Sequence, residues 1–218
     1  MLFRSDASRA WAENELLLLH TVADQLTLFA QLQQQALTDG LTGCYNRRSF
    51  EMQLEHHLHL ATRMRQPLSL IMLDVDKFKQ INDKSGHETG DNALRMLADT
   101  LRAELRGVDI AARFGGDEFA VILPQANTDG AMIVAERLRA KIQETEVPGF
   151  GSVTASFGLA TFPLHASSRD TLVAAADRAL YKAKQSGRNQ VCLRTEERSA
   201  GEAGFPAEDQ VEMDTIQQ

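Results

Sequence analysis

The chain has 218 residues, 43% of them hydrophobic and 24% charged, with a formal net charge of −7. That composition supports a folded core in one ordinary domain with extra segments, and argues against wholesale disorder or general binding to nucleic acid or anionic membranes. No apolar run approaches the roughly 20 residues of a membrane span, the N-terminus lacks the apolar core and cleavage site of a signal peptide, and Cys44 and Cys192 have no metal-ligand spacing, so reduced thiols in a cytoplasmic protein are expected.

Residues 8–37 read as one long helix without Gly or Pro. Leu19, Val22, Leu26 and Phe29 fall on one stripe, which Gln33 interrupts. Such a stripe needs cover, either from its own domain or from the same helix of a second copy. Asp39-Gly40 and Thr42-Gly43 are turn signals that open the main domain. The expected division is an N-terminal helix (1–36), a central domain (37–195) and an acidic, aperiodic tail (196–218) expected to be disordered.

A helix is predicted over 46–65, with Phe50, Leu54, Leu58 and Ala61 on one face and Pro67 ending it. LSLIMLDVD then reads as a strand covered on both faces. The next helix, 89–106, turns Leu94, Leu97, Leu101 and Leu105 inward. DIAAR and EFAVILP, separated by a double glycine, read as a hairpin whose glycines supply positive φ. A helix over 129–145, a strand over 152–162, a helix over 168–186 stopped by Gly187, and a short strand over 190–194 complete the domain. The fold class is α/β in the α+β sense: one mixed sheet with helices packed on it, plus the long N-terminal helix. Hairpins mixed with helical crossovers argue against a doubly wound parallel sheet.

Asp74 and Asp76 end the apolar strand, where open sheets commonly bind ligands. They are expected to face different sides and to have separate roles. Alone, the pair also fits a solvated strand end. Residues 113–119, RFGGDEF, add two acids after a glycine turn. If that hairpin lies beside the 70–75 strand, Asp74 and Asp117 converge. Two carboxylates at one point call for a cation, and hard oxygen ligands beside phosphate indicate Mg²⁺. The plain alternative is an ordinary acidic hairpin turn.

With these residues and further blocks, the chain resembles the GGDEF domains, the diguanylate cyclases. The blocks are TDGLTGCYNRRSF, LDVDKFKQINDKSGHETGDNAL, RGVDIAARFGGDEFAVILP, SFGLA and ADRALYKAKQSGRNQV, in family order over about residues 37–194. The resemblance implies a fold similar to the palm of polymerases and adenylyl cyclases. It implies condensation of two GTP into cyclic di-GMP with release of two pyrophosphates, dependent on Mg²⁺ or Mn²⁺. Each domain would hold one GTP, so a homodimer with facing domains is implied.

The same resemblance assigns residues. Asp74, the Val75 carbonyl and Asp117 would be the metal ligands, with Asp117 also activating the 3′-hydroxyl. Glu118 would support metal and hairpin. The backbone N–H groups of Lys77, Phe78 and Lys79 would cradle phosphates, with Gly115 and Gly116 also beside the substrate. Asn82 and Asp91 would read guanine; an acid accepts from N1 and N2, which favours GTP over ATP. Lys184 and Arg188, read as four apart on a helix end, would clamp the γ-phosphate; without the resemblance they read as a solvated basic helix end. Arg106-Gly-Val-Asp109 is similar to the family's inhibitory site for cyclic di-GMP, with Arg137 as a partner arginine. Its plain reading is a cationic helix end followed by a turn acid. The rival to an enzyme is a catalytically silent GGDEF module that binds GTP or cyclic di-GMP; a purely structural dimerisation unit leaves the polar residues unexplained. WAENELLLLHTVADQLTLFAQLQQQA resembles the closing helix of a GAF-type sensory domain, which makes an upstream sensory domain an expected partner.

Overall fold

A strand apolar at every position needs cover on both faces, and that requirement organises the molecule. The computed structural model describes residues 13–194. In chain order its elements are α1 (Glu13–Leu37), α2 (Arg47–Met64), β1 (Leu68–Val75), α3 (Phe78–Ser85), α4 (His87–Glu104), β2 (Ile110–Arg113), β3 (Glu118–Pro124), α5 (Thr128–Glu144), β4 (Glu146–Val147), β5 (Gly151–Ser152), β6 (Ala155–Phe162), α6 (Arg169–Gln185) and β7 (Val191–Leu193). β1 is buried along its whole length and is the centre of a five-stranded sheet ordered β2-β3-β1-β6-β7. It runs antiparallel to β3 and β6, while β7 is parallel to β6. The sheet is mixed, as the element pattern predicts.

Alternation along β1 divides the core in two. Ile71, Leu73 and Val75 join Leu94, Leu97 and Leu101 of α4 and Ala135, Leu138 and Ile142 of α5. Leu68, Leu70 and Met72 join Phe50, Leu54 and Leu58 of α2 and Leu172, Ala176 and Leu180 of α6. Side-chain caps start three of these helices: Asn46 accepts from the Ser49 N–H, Asn127 from the Gly130 N–H, and Ser168 forms a capping box with Thr171.

Three elements go beyond the sequence reading. α3 fills residues between β1 and α4, and β4 and β5 form a separate two-stranded hairpin. The described part of the apolar stripe of α1 is not covered by its own domain: Leu19, Val22 and Leu26 are 49%, 44% and 63% exposed. Phe29 and Gln33 lie outside the described side chains, and residues 8–12 and the predicted tail lie outside the described residues. Among the described residues no helix is long and apolar enough to cross a membrane.

α6 lies directly on β6. A Cβ at Gly158 would sit 2.1 Å from the Leu180 nitrogen and 2.2 Å from the Ala176 oxygen, both backbone atoms that cannot turn aside. The inward face of α6 is correspondingly small, with Ala175, Ala176, Ala179 and Ala183 buried. Gly158→Ala should therefore force helix and sheet apart and cost at least about 3 kcal/mol, measured by urea unfolding. A cost below about 1 kcal/mol would contradict this packing.

Candidate functional site

β1 ends in acid because its last residues reach the sheet edge. Asp74 pairs in register with Glu118 of β3, and the Val75 N–H donates to the Asp117 carbonyl over 3.2 Å. Asp74 follows Leu70 and Met72 in the pleat, so its carboxylate emerges on the α6 side. There Lys184 Nζ lies 2.7 Å from Asp74 Oδ2. Burial pushes the Asp74 carboxyl up to about 6; the Lys184 hydrogen bond works against that shift, and the Asp117 and Glu118 charges reinforce it. Asp177 of α6 is raised as well, by burial and then by Glu118. Asp74 therefore lies opposite Glu118 in the β1–β3 register and feels the charges of both hairpin acids.

Asp74 feels the charges of Asp117 and Glu118, and Asp177 that of Glu118, against the cations Lys184 and Arg47, an excess of negative charge that is a setting for a cation. Among the described residues no three His, Cys, Asp or Glu side chains form a metal cage. Two carboxylates with room for substrate oxygens suit Mg²⁺, which keeps few protein ligands and completes its shell with water and phosphate. The donor set fits that ion.

The hairpin that presents Asp117 differs from expectation. Neither Gly115 nor Gly116 has positive φ. The Phe114 and Gly115 N–H groups both donate to the Glu118 carbonyl, at 2.8 and 3.1 Å. A Cβ at Gly115 would lie 2.8 Å from Glu118 Oε2, the free end of a flexible side chain that can move aside. Nothing lies within 4 Å of a Cβ built at Gly116. Arg113 fixes the loop from beneath. Its Nη2 donates to the Gly116 carbonyl over 2.7 Å, while Nη1 meets both oxygens of Asp39 at 3.1 Å. Burial alone would raise the Asp39 carboxyl, but its bonds with Thr42 and Arg113 outweigh burial and hold it below the ordinary value.

Asp76 takes a different course from Asp74, but not because of strand alternation, since positions i and i+2 of a strand share a face. β1 stops at Val75, and Asp76 lies beyond it with its carboxylate accepting from Thr154 and Ser156. Lys77 follows as the N-cap of α3, with φ 57°. The first-turn N–H groups of α3, at Phe78 and Lys79, have no acceptor within the helix, as a phosphate cradle requires. On α3, Asn82 Oδ1 is buried and has no hydrogen-bond partner among the described residues. Gly90 of α4 makes room for it: a Cβ there would lie 1.9 Å from that oxygen. Asp91 is the next residue of α4. A buried amide oxygen left without a donor is a place where a bound molecule can supply one.

Lys184 and Arg188 do not share a helix face. α6 ends at Gln185, and Arg188 lies in the following turn with φ 64°. Lys184 is the Asp74 counter-ion rather than a solvated lysine. At another place on the domain, Arg106 and Asp109 close a tight turn, the Arg106 N–H donating to Asp109 Oδ2 over 2.9 Å. Both line a cavity of about 590 Å³ with Leu37, Tyr45 and Arg102. Arg137 is committed to Glu104, its Nη2 donating to the Glu104 carbonyl over 2.6 Å.

Sequence reasoning missed Asp39, Arg113, Gly90 and Asp177. Arg113 directly precedes the glycine turn and Asp39 sits in the first turn signal, but only the fold joins them.

The family description "Diguanylate cyclase, GGDEF domain" matches residues 36–190. Diguanylate cyclase DgcM of Escherichia coli is 38% identical over 180 residues, covering 81% of this chain and 43% of that protein. Diguanylate cyclase VdcA of Vibrio cholerae is 40% identical over 168 residues, covering 74% of this chain and 48% of that protein. The chain thus spans less than half the length of these curated relatives. Among solved structures, the coiled coil and GGDEF domain of DgcB from Caulobacter crescentus, in complex with c-di-GMP, superposes with a TM-score of 0.74 at 30% identity, covering 84% of this chain and all of that one.

The raised Asp74 carboxyl has a direct consequence for stability. Its value is 3.8 when unperturbed and about 6 in the fold, so between those values the native state holds a proton that the unfolded chain has released. The resulting stabilisation is full below the lower value and is lost as pH rises through the higher one. In metal-free protein, the unfolding free energy of wild type minus that of Asp74→Asn should fall by up to about 3 kcal/mol from about pH 4 to about pH 7. A difference that stays flat or rises across that window would contradict the assigned environment.

Proposed function

The chain belongs to the GGDEF diguanylate cyclase domain family, and on that premise we propose that it condenses two GTP into cyclic di-GMP and releases two pyrophosphates. The observation that carries the reading is the coupling of Asp74 with Asp117 and Glu118 at one end of the sheet, with Lys184 against Asp74. Asp74, the Val75 carbonyl and Asp117 would hold Mg²⁺. When bound, that ion supplies neutralisation of phosphate charge and a lower pKa for the attacking 3′-hydroxyl.

The chain's own residues do the rest. Asp117 accepts the proton of the 3′-hydroxyl as it attacks the α-phosphate of the other GTP. Glu118, packed under Gly115, keeps that hairpin in place. The N–H groups at Lys77, Phe78 and Lys79 take the β- and γ-phosphate oxygens, with Gly115 and Gly116 close to the chain of phosphates. Lys184 exchanges Asp74 for the γ-phosphate when nucleotide enters, and Arg188 joins it. Asn82 and Asp91 bind the guanine edge; the unpartnered Asn82 oxygen supports this, because guanine N2–H can satisfy it.

Each domain binds one GTP, so turnover requires two domains face to face. The uncovered leucines of α1 support pairing with a second copy along a parallel helix seam. The cavity at Arg106 and Asp109 supports a product site: arginine pairs with phosphate and stacks on guanine, and the carboxylate accepts from its edge. Cyclic di-GMP bound there would hold domains apart from a productive encounter. An upstream sensory domain would act through α1.

Incubation with GTP and Mg²⁺ should give cyclic di-GMP and pyrophosphate, resolved by chromatography. Nucleotide binding without either product would favour the silent module. Asp117→Ala should lower turnover at least about a hundredfold with its melting temperature nearly unchanged, because a hairpin-tip acid is not core. Loss of folding in that variant would contradict the assignment. Arg106→Ala should raise the cyclic di-GMP concentration needed for half inhibition by about tenfold or more, and unchanged inhibition would remove the product-site reading.

A further inference from the structure

Asp76 is 8% exposed and accepts three hydrogen bonds. Ser156 Oγ donates to Oδ1 over 2.6 Å; Thr154 Oγ1 and the Asn189 backbone N–H donate to Oδ2 over 2.7 and 3.0 Å. The third bond spans 113 residues of sequence and ends in an unusual piece of backbone. Gly187, Arg188 and Asn189 have φ of 116°, 64° and 44°, three successive residues with positive values. Two of them carry side chains, for which a left-handed backbone is strained. A run of this kind persists only where its surroundings hold it.

Several contacts do so. The Arg188 N–H and Gln190 Nε2 both donate to the Ala183 carbonyl, at 3.0 and 2.8 Å. The Asn189 side chain lies between Arg139 and Gln143, at 3.1 Å from each. These bonds tie the turn to α6 and α5. Among the described residues Asp76 alone ties it to the end of β1, and Asp76 immediately precedes Lys77, where the first turn of α3 begins. Lys77, Arg188 and Asn189 line one cavity of about 340 Å³ with Asp76 in its wall.

We propose that Asp76 is a positioning residue for Arg188: by holding the Asn189 amide it fixes the left-handed turn at a set distance from the Lys77–Lys79 segment, so that both reach one triphosphate. The inference rests on the reading of Arg188 as a γ-phosphate ligand. A carboxylate suits the task, because it has only acceptors to offer and all three donors are matched. Its duty is separate from that of Asp74, two residues earlier.

The test compares binding of 3′-deoxy-GTP and 3′-deoxy-GDP in the presence of Mg²⁺. Neither can be condensed, since both lack the attacking hydroxyl. In wild type the triphosphate should bind more tightly. Arg188→Ala should reduce the triphosphate-to-diphosphate preference about tenfold. Asp76→Ala should reduce it by a similar factor with diphosphate affinity largely retained, and the double variant should lose no more than either single one. Asp76→Asn should keep most of the preference, because its amide oxygen can still accept from the Asn189 N–H while the Ser156 hydroxyl turns to accept from its nitrogen. Should Asp76→Ala fail to fold, Asp76→Ser, shorter by one atom, should show the same loss of preference. A preference that survives in the folded short variant, or equal weakening of both nucleotides, would overturn the proposal. An unchanged preference in Arg188→Ala would instead overturn the γ-phosphate reading itself, and the two failures are distinguishable.

Discussion

Helix α6 approaches β6 so closely that residue 158 has no space for a side chain. That contact sets the height of the helix above the sheet, and much of the candidate site follows from it. Lys184 leaves the end of α6 at a level where its ammonium meets Asp74. Asp177, two turns earlier, comes close enough to Glu118 to feel its charge. The turn after the helix then falls within reach of Asp76. Small residues on the buried face of α6 are therefore a positional requirement of the polar end of the sheet, and not only a way to fill the core.

The polar end is built against its own stability. Asp74 is buried near two other acids, and its single close cation does not restore an ordinary carboxyl. A core designed for stability alone would place a neutral residue there. Unbalanced charge is, however, what a cation and a polyphosphate can balance between them. The same logic applies to Asn82, whose oxygen is enclosed with nothing to accept from. Both features leave an interaction incomplete in the chain itself, which is how binding sites differ from the rest of a core.

Much of the architecture was legible in the sequence because burial leaves a periodic trace. The run from Leu68 to Val75 marks the central strand, and Phe50, Leu54, Leu58 and Ala61 mark one face of α2. α3 was not legible: Phe78 and Ile81 are its only large apolar residues, too few to set a period. The acid pair at 74 and 117 could be anticipated once a hairpin was placed beside β1. The double glycine suggests positive φ in sequence, yet neither residue adopts it, because a glycine pair does not by itself specify the backbone of a turn. The Arg113–Asp39 clasp joins residues 74 apart, and the Asp76–Asn189 bond joins residues farther apart still. Such contacts leave no local pattern. The shared face expected of Lys184 and Arg188 fails for a related reason, because spacing of four places residues on one face only while the helix continues.

The root of α1 is fastened more firmly than its length. The Leu37 carbonyl accepts from the Asn46 N–H and the Ser49 hydroxyl, at 2.9 and 2.8 Å, and two residues later Asp39 grips Arg113, which in turn holds the Gly116 carbonyl. With 25 residues the helix is about 37 Å long. Pivoted at Leu37, it is a lever with one long arm and one very short arm. A swing of about 4 Å at the far tip becomes on the order of half an ångström at the Asp39 carboxylate. That is the scale on which reacting groups fall in or out of alignment. The geometry thus gears a coarse movement down to a fine one, delivered through a guanidinium to the loop that bears Asp117.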